Sequence, residues 1–331
     1  MCFVHFVVTL FIEGAATEAM ARKDDQKLAE GLACIREAEK CMKTSLFQWK
    51  PDLDGAADEY KKAAMAFKGA GATDQTRDCY MKAADAYLEN KNLYHAGKCY
   101  EAAAYVFREQ GDLDEAINLI EKAIALYREQ GTADSAAQAY DKAGDVLAET
   151  RPEKAIDFYV QAYEAMSLED RPKQCCDLLN KAIKVMIKHR KLEMAMGAIK
   201  KSQECYTSLD LLPQVFRLTV AAVLVQLALG DLIAAERAYG DSLNCPGFND
   251  SDECKIVKVL LRAYDDCDQE TADKVLNGLY VRHMENVYAQ LARTIRVPGT
   301  IKKKELPTGE GANQGAAAEE DDEDEYAGGI C

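Results

Sequence analysis

The chain has 331 residues, 48% of them apolar, with 7 prolines and a formal net charge of −15 from 41 Lys and Arg against 56 Asp and Glu. That balance excludes a nucleic-acid partner, because a phosphate backbone is held by a basic surface. The 12 cysteines include no CxxC pair and no Cys/His spacing fit for zinc, which excludes a metal-stapled fold.

Residues 1–19 differ in character from the rest of the chain. Cys2 to Ile12 is an apolar run with no Lys or Arg before it, too short for a membrane span and without the basic start of a signal peptide. Polar, helix-forming sequence begins at Met20, so residues 1–19 read as an atypical N-terminal extension. The alternative, a cleaved secretory signal, demands disulfides. Cys79, Cys99, Cys176 and Cys205 instead fall on helical faces as small apolar fillers, which suits a reduced, cytosolic protein. Asn249-Asp250-Ser251 matches a glycosylation sequon, a pattern too frequent by chance to alter this.

The first helix presents Ala29, Leu32, Ala33, Ile35, Ala38 and Met42 as its inner face. Pro51 ends the segment after it. That loop carries Leu46, Phe47 and Trp49 between Lys43 and Lys50. It is either a cap folded onto the first repeat or an exposed amphipathic tip. In the second case the lysines suit anionic headgroups and the aromatics suit a bilayer interface.

From Asp54 a forty-residue beat sets in. Tyr60, Tyr100 and Tyr140 follow it, as do Ala56, Ala96 and Ala136, then Ala63, Ala103 and Ala143, with Phe67, Phe107 and Leu147 closing each segment. A second, interleaved series holds Thr76, Ala116, Ala155; Tyr80, Ile120, Tyr159; Ala83, Ala123, Ala162; and Tyr87, Tyr127, Met166. Two series mean two helices per repeat, small residues permitting close approach and large ones filling the holes. A lone pair cannot bury its own face, so the pairs stack. Breaks fall at Gly69–Thr73, Asn90–Asn92, Gly111-Asp112, Gly131-Thr132, Glu149–Pro152 and Asp170–Pro172. The beat continues less cleanly to Pro213, which introduces the most apolar helix, Val215 to Leu229, and Gly230-Asp231 opens the next.

After Pro246-Gly247 the beat is lost. Asp250 and Glu253 suggest a capping box for a helix with the stripe Ile256, Val259, Leu260 and Ala263. Asp265-Asp266 stand at its end, where the helix dipole favours cations, so they serve something outside the helix. A last helix, Leu279 to Ile295, turns Met284, Val287, Tyr288 and Leu291 inward, and Pro298-Gly299 stops it. Lys302-Lys303-Lys304, a Gly/Ala-rich linker and the acidic run Glu319 to Glu325 cannot bury enough apolar surface to fold alone. The expected architecture is all-α: a tetratricopeptide-like helical-hairpin solenoid over 20–245, a C-terminal helical bundle over 246–297, and a flexible acidic tail over 298–331.

No glycine-rich phosphate loop, GxSxG or HExxH is present, and the four histidines are scattered. The expectation is a protein-binding array with no catalytic, cofactor-binding or metal-binding residues, and not an enzyme.

Three stretches narrow the reading. Pro246 to Lys255, continued by Leu260-Leu261-Arg262-Ala263-Tyr264-Asp265-Asp266, resembles the C-terminal domain of the soluble NSF attachment proteins. Trp49-Lys50-Pro51-Asp52 and the ending Asp324-Glu325-Tyr326-Ala327-Gly328-Gly329-Ile330-Cys331 resemble the gamma branch of that family. The resemblance covers about residues 20 to 331. It implies a twisted helical sheet that binds assembled, syntaxin-type SNARE bundles on its concave side and recruits the NSF hexamer for their disassembly, in vesicular transport such as that between ER and Golgi. It implies a cytoplasmic protein peripherally associated with membranes, with Leu46, Phe47, Trp49 and Lys50 contacting an anionic membrane surface. Asp265 and Asp266 match acidic positions that face the ATPase. Glu323, Asp324, Glu325 and Ile330 occupy the tail from which relatives stimulate it, although alpha relatives carry a leucine in that tail. At two groove positions where alpha relatives carry lysines this chain has Gln138 and Cys176, which implies weaker or different SNARE selectivity. The alternative is a generic tetratricopeptide scaffold of co-chaperone type, which expects a thirty-four-residue beat.

Overall fold

The computed structural model describes the backbone of residues 2–44 and 49–299, and side chains from residue 22 onward. Its helices are α1 (Cys2–Cys41), α2 (Leu53–Gly69), α3 (Thr73–Glu89), α4 (Leu93–Gln110), α5 (Leu113–Glu129), α6 (Ala133–Leu147), α7 (Pro152–Leu168), α8 (Pro172–Lys188), α9 (Leu192–Ser208), α10 (Leu212–Leu229) and α11 (Leu232–Ser242). A 3₁₀ turn (Phe248–Asp250) then leads to α12 (Asp252–Asp265), α13 (Gln269–Leu276), α14 (Leu279–His283) and α15 (Asn286–Ala292). There is no strand among the described residues. Each helix from α1 to α11 packs chiefly on its sequence neighbours, which makes a tetratricopeptide-like solenoid.

The forty-residue beat is a core beat. Tyr60, Tyr100 and Tyr140 are 8%, 7% and 7% exposed, and the alanines of both series are 3% exposed or less. Helix ends follow a twenty-residue half-beat of left-handed residues: Gly71, Lys91, Gly111 and Gly131, then Asp170, Arg190, Asp210 and Gly230. The residue after each donates its N–H to the carbonyl five positions back, as Asn92 to Tyr87 (2.8 Å) and Leu211 to Tyr206 (3.0 Å), which satisfies a carbonyl the helix leaves open. The carbonyls used in this way include those of Phe67, Tyr87, Phe107 and Tyr127, so the closing core side chain and the closing hydrogen bond belong to one residue.

Several local expectations need correction. The inner face of α1 is Leu28, Gly31, Ile35 and Ala38, while Leu32 (53% exposed) and Met42 (38%) face outward. The register is set by Phe67 of α2, whose ring lies where a Cβ on Gly31 would be. Lys27 donates to the Gly69 carbonyl (2.7 Å) from the same face. At α12 the cap is Ser251, whose hydroxyl accepts from Cys254 N–H (3.1 Å), not an Asp250–Glu253 box. Of the expected α12 stripe, Leu260 and Ala263 are buried and Ile256 is half-buried, but Val259 is 44% exposed and Val257, Leu261 and Tyr264 are buried instead, the helix packing on α10, α11 and α13. The span Leu279–Ile295 is two short helices. Met284 and Glu285 are extended between them, which buries Met284 and brings Glu285 to Lys184 of α8 (3.1 Å).

Helix α10 is long and apolar enough to cross a membrane, yet ten of its residues are buried within the array, where it contacts α9, α11, α12 and α15. Its apolar length is core. The C-terminal helices pack on α8, α10 and α11.

Candidate functional site

The residues singled out by the sequence lie on the exposed helix face and at the two ends of the array. Among the lysines of the even-numbered helices, Lys61 on α2, Lys98 on α4, Lys142 on α6 and Lys181 on α8 have side chains 34% to 47% exposed. Three of them share one construction. A tyrosine from the neighbouring odd helix donates its hydroxyl to a carboxylate on an even helix, and the lysine lies over that ring while approaching the same carboxylate. The sets are Tyr87–Asp58–Lys61, Tyr127–Glu101–Lys98 and Tyr159–Asp145–Lys181. Burial and the adjacent carboxylate push each phenol well above its usual range, so these hydroxyls stay donors at any physiological pH. The Tyr87 hydroxyl in turn holds Asp58 below the usual carboxylate range.

This face also carries a shallow groove of about 350 Å³ between α6 and α8, lined by Asp134, Gln138, Asp141, Met166, Asp177 and Lys181. Gln138 is exposed there. Cys176 is not: it is 1% exposed, packs against Cys205, and burial pushes its thiol up to about 12. Its expected place on a groove surface is therefore corrected. The α8 register turns Gln174, Asp177 and Lys181 outward and Cys175 and Cys176 into the α8–α9 core. Ten cysteines among the described residues are free thiols; Cys79, Cys99, Cys175 and Cys176 are buried, while Cys205 is half-buried.

At the N-terminal end, Asp52 N–H donates to the Cys41 carbonyl (2.9 Å) and closes the α1–α2 connection. Trp49 in that connection is 89% exposed and Lys50 is exposed, so the indole does not cap the first repeat. Leu46 and Phe47 lie outside the described residues.

At the opposite end, α12 closes in Asp265, Asp266 and Cys267 (φ 53°), and Asp268 caps α13 by accepting from Thr271 N–H (3.1 Å). Asp265 and Asp266 are exposed, and neither carboxylate has a partner among the described residues. The chain returns to this turn before its last segment. Arg296 C=O accepts from the Tyr264 hydroxyl (3.2 Å), Val297 N–H donates to Gln269 (2.8 Å), and Gly299 lies against Cys267. Glu323, Asp324, Glu325 and Ile330 lie outside the described residues. The lysine–tyrosine–carboxylate sets escaped sequence reading, because in each the tyrosine and its carboxylate lie 14 to 29 positions apart.

The family description "Soluble NSF attachment protein, SNAP" matches residues 29–278. The gamma-soluble NSF attachment protein of Dictyostelium discoideum is 26% identical over 275 residues, covering 83% of this chain and 85% of that protein. The protein of the same name from Arabidopsis thaliana is 27% identical over 153 residues, 46% of this chain and 53% of its own length. Among solved structures, BtubC (BKLC) from P. vanneervenii superposes with a TM-score of 0.41 at 16% identity, over 73% of this chain and 93% of that one.

Proposed function

This chain belongs to the soluble NSF attachment protein family, and from that premise we propose that it is the adaptor joining an assembled SNARE bundle to the ATPase NSF for disassembly after membrane fusion. The observation that carries the reading is the family match, which spans most of the solenoid and reaches through α12 and α13. Three structural features support it. The even-helix face is polar and open over its first repeats, which suits the side of a helical bundle. Asp265 and Asp266 are exposed and unpartnered beside the root of the acidic tail, which suits a basic ATPase surface. Trp49 stands exposed at the far end beside Lys50, which suits an anionic lipid interface and a peripheral place on cytoplasmic membranes. In this reading the protein does no chemistry itself; hydrolysis belongs to the ATPase.

The test is a pull-down of NSF, held in its ATP state, on beads bearing an assembled SNARE complex, with and without this protein. Retention only in its presence, reversed by hydrolysis, is the expected result. Asp265→Lys with Asp266→Lys abolishes retention of the ATPase and leaves SNARE binding intact. Binding of neither component by the native chain retires the reading; unaltered recruitment by the double variant moves the contact to the tail.

A further inference from the structure

Where α8, α9 and α10 meet the C-terminal helices, the packing leaves a cavity of about 300 Å³. That is the low end of the range for ligand pockets, and it suits a small molecule or the end of a chain rather than a whole helix. One wall is apolar: Leu218 and Ala221 of α10 and Met284 are each 8% exposed or less. Met284 belongs to this wall because the chain is extended between α14 and α15.

The rest of the lining supplies donors. Tyr288 of α15 is 7% exposed, yet its hydroxyl has no hydrogen-bond partner among the described residues. Leaving a buried hydroxyl unbonded costs free energy that an acceptor on a ligand would recover. Tyr206 of α9 lines the same cavity. Its hydroxyl accepts from Asn180 Nδ2 (2.8 Å), and Asn180 Oδ1 accepts in turn from Ser202 (3.2 Å), so the hydroxyl hydrogen of Tyr206 is left over for another acceptor. Burial pushes both phenols above their ordinary range, which keeps them donors at neutral pH. Arg217 of α10 completes the set. Its guanidinium makes one long bond to the His283 carbonyl (3.4 Å) and has no carboxylate partner among the described residues. Glu285, the carboxylate of the lining, is taken by Lys184 (3.1 Å).

The cavity thus brings together phenol and guanidinium donors from three helices, one cation without a counter-ion and an apolar wall. A carboxylate meets a guanidinium edge with two parallel bonds. A phosphate ester carries nearly two charges at neutral pH and would face Glu285 with a single free cation. We propose that this cavity binds a monocarboxylate with a small apolar body, held by Arg217, Tyr206 and Tyr288. Two sources present that chemistry, a free organic acid and the carboxylate end of a peptide. The site stands independently of the adaptor reading.

The experiment titrates full-length protein with 3-phenylpropionate, its neutral amide, inorganic phosphate, and an alanine-rich tetrapeptide ending in leucine with its terminal carboxylate free or amidated. Ligand-observed NMR and calorimetry read binding in native protein, Arg217→Gln, Tyr288→Phe and a control of equal charge change, Arg293→Gln. The expected result is binding of at least one free carboxylate probe, with about a tenfold or greater loss on amidation and in Arg217→Gln, about a three- to tenfold loss in Tyr288→Phe, and less than about a twofold change in the control. Because the Tyr288 hydroxyl has no partner inside the fold, unliganded Tyr288→Phe melts at the native temperature or above it. Binding of the free acid alone makes a small molecule the source, and binding of the peptide alone makes it a chain end; either supports the site. No carboxylate bound by native protein, phosphate preferred to carboxylate, an equal loss in Arg293→Gln, or affinity untouched by Arg217→Gln and Tyr288→Phe overturns the proposal. So does a lowered melting temperature of Tyr288→Phe, which would give the hydroxyl a structural bond instead.

Discussion

Two glycines inside helices give opposite expectations for the same substitution. Gly97 lies on α4 under the ring of Tyr127, and an added Cβ would sit 2.6 Å from its Cε1 and 2.9 Å from its Cζ. That ring has no room to retreat: it is fully buried, and its hydroxyl is tied to Glu101 at 2.7 Å. Gly197 on α9 is exposed, with nothing within 4 Å of the same added atom. Alanine in place of a mid-helix glycine gains about 0.5–1 kcal/mol of backbone entropy. At Gly97 that gain is opposed by overpacking of about 1–3 kcal/mol and by a strained bond to a charged acceptor, worth about 1.5–3 kcal/mol when lost. Gly97→Ala is therefore expected to destabilise by about 1–3 kcal/mol and Gly197→Ala to stabilise by up to about 1 kcal/mol. Urea unfolding followed by circular dichroism reads both. A stacked array opens in parts, so hydrogen exchange of α4 and α5 localises the loss. A rise in midpoint for Gly97→Ala, or unchanged protection of α5, refutes the picture of a tyrosine pinned at both ends.

Three other outcomes rest on the same packing. Lys91 occupies a left-handed position (φ 57°), so Lys91→Gly gains up to about 1 kcal/mol, and a lowered urea midpoint would show that its side chain contributes more than its strain costs. Burial raises the thiols of Cys79 and Cys175 to about 11 and of Cys99 and Cys176 to about 12, from an ordinary 9.0. Because the folded values are the higher ones, this contribution to stability is complete below pH 9 and fades as pH rises through 11 to 12, in step with the buried tyrosines. A midpoint that stays flat between pH 8 and 11 contradicts it, as does labelling of these four thiols in the folded state at the rate of exposed Cys267. Phe47→Ser with Trp49→Ser reduces recruitment to anionic liposomes while the melting temperature holds within about 1 °C, since Trp49 loses almost no packing; a fall of several degrees would mean that the loop is structural.

The repeat was legible because it is written in residue size. Tyr60, Tyr100 and Tyr140 meet the same hole in three successive repeats, and a hole that admits one side chain leaves its mark at a fixed interval. The twenty-residue half-beat of helix ends was only half visible. Gly71, Gly111, Gly131 and Gly230 announce a left-handed residue, but Lys91, Asp170, Arg190 and Asp210 hold the same conformation without any chemical mark of it. Register failed wherever two adjacent stripes were equally apolar. On α1 the choice of Leu28 over Leu32 beside Ile35 and Ala38 is made by one aromatic ring seated on Gly31, and on α12 the choice of Val257 over Val259 is made by neighbours on several sides.

The same reasoning explains why the acidic turn could be read from sequence while the sharing of Glu101 by Lys98 and Lys142 could not. Asp265 and Asp266 declare themselves locally, two anions at a helix end that disfavours anions, with no partner inside the fold. Lys98 and Lys142 look like any exposed lysines of a helical protein until α4 and α6 are brought side by side. Only then does one buried carboxylate serve two ammonium groups.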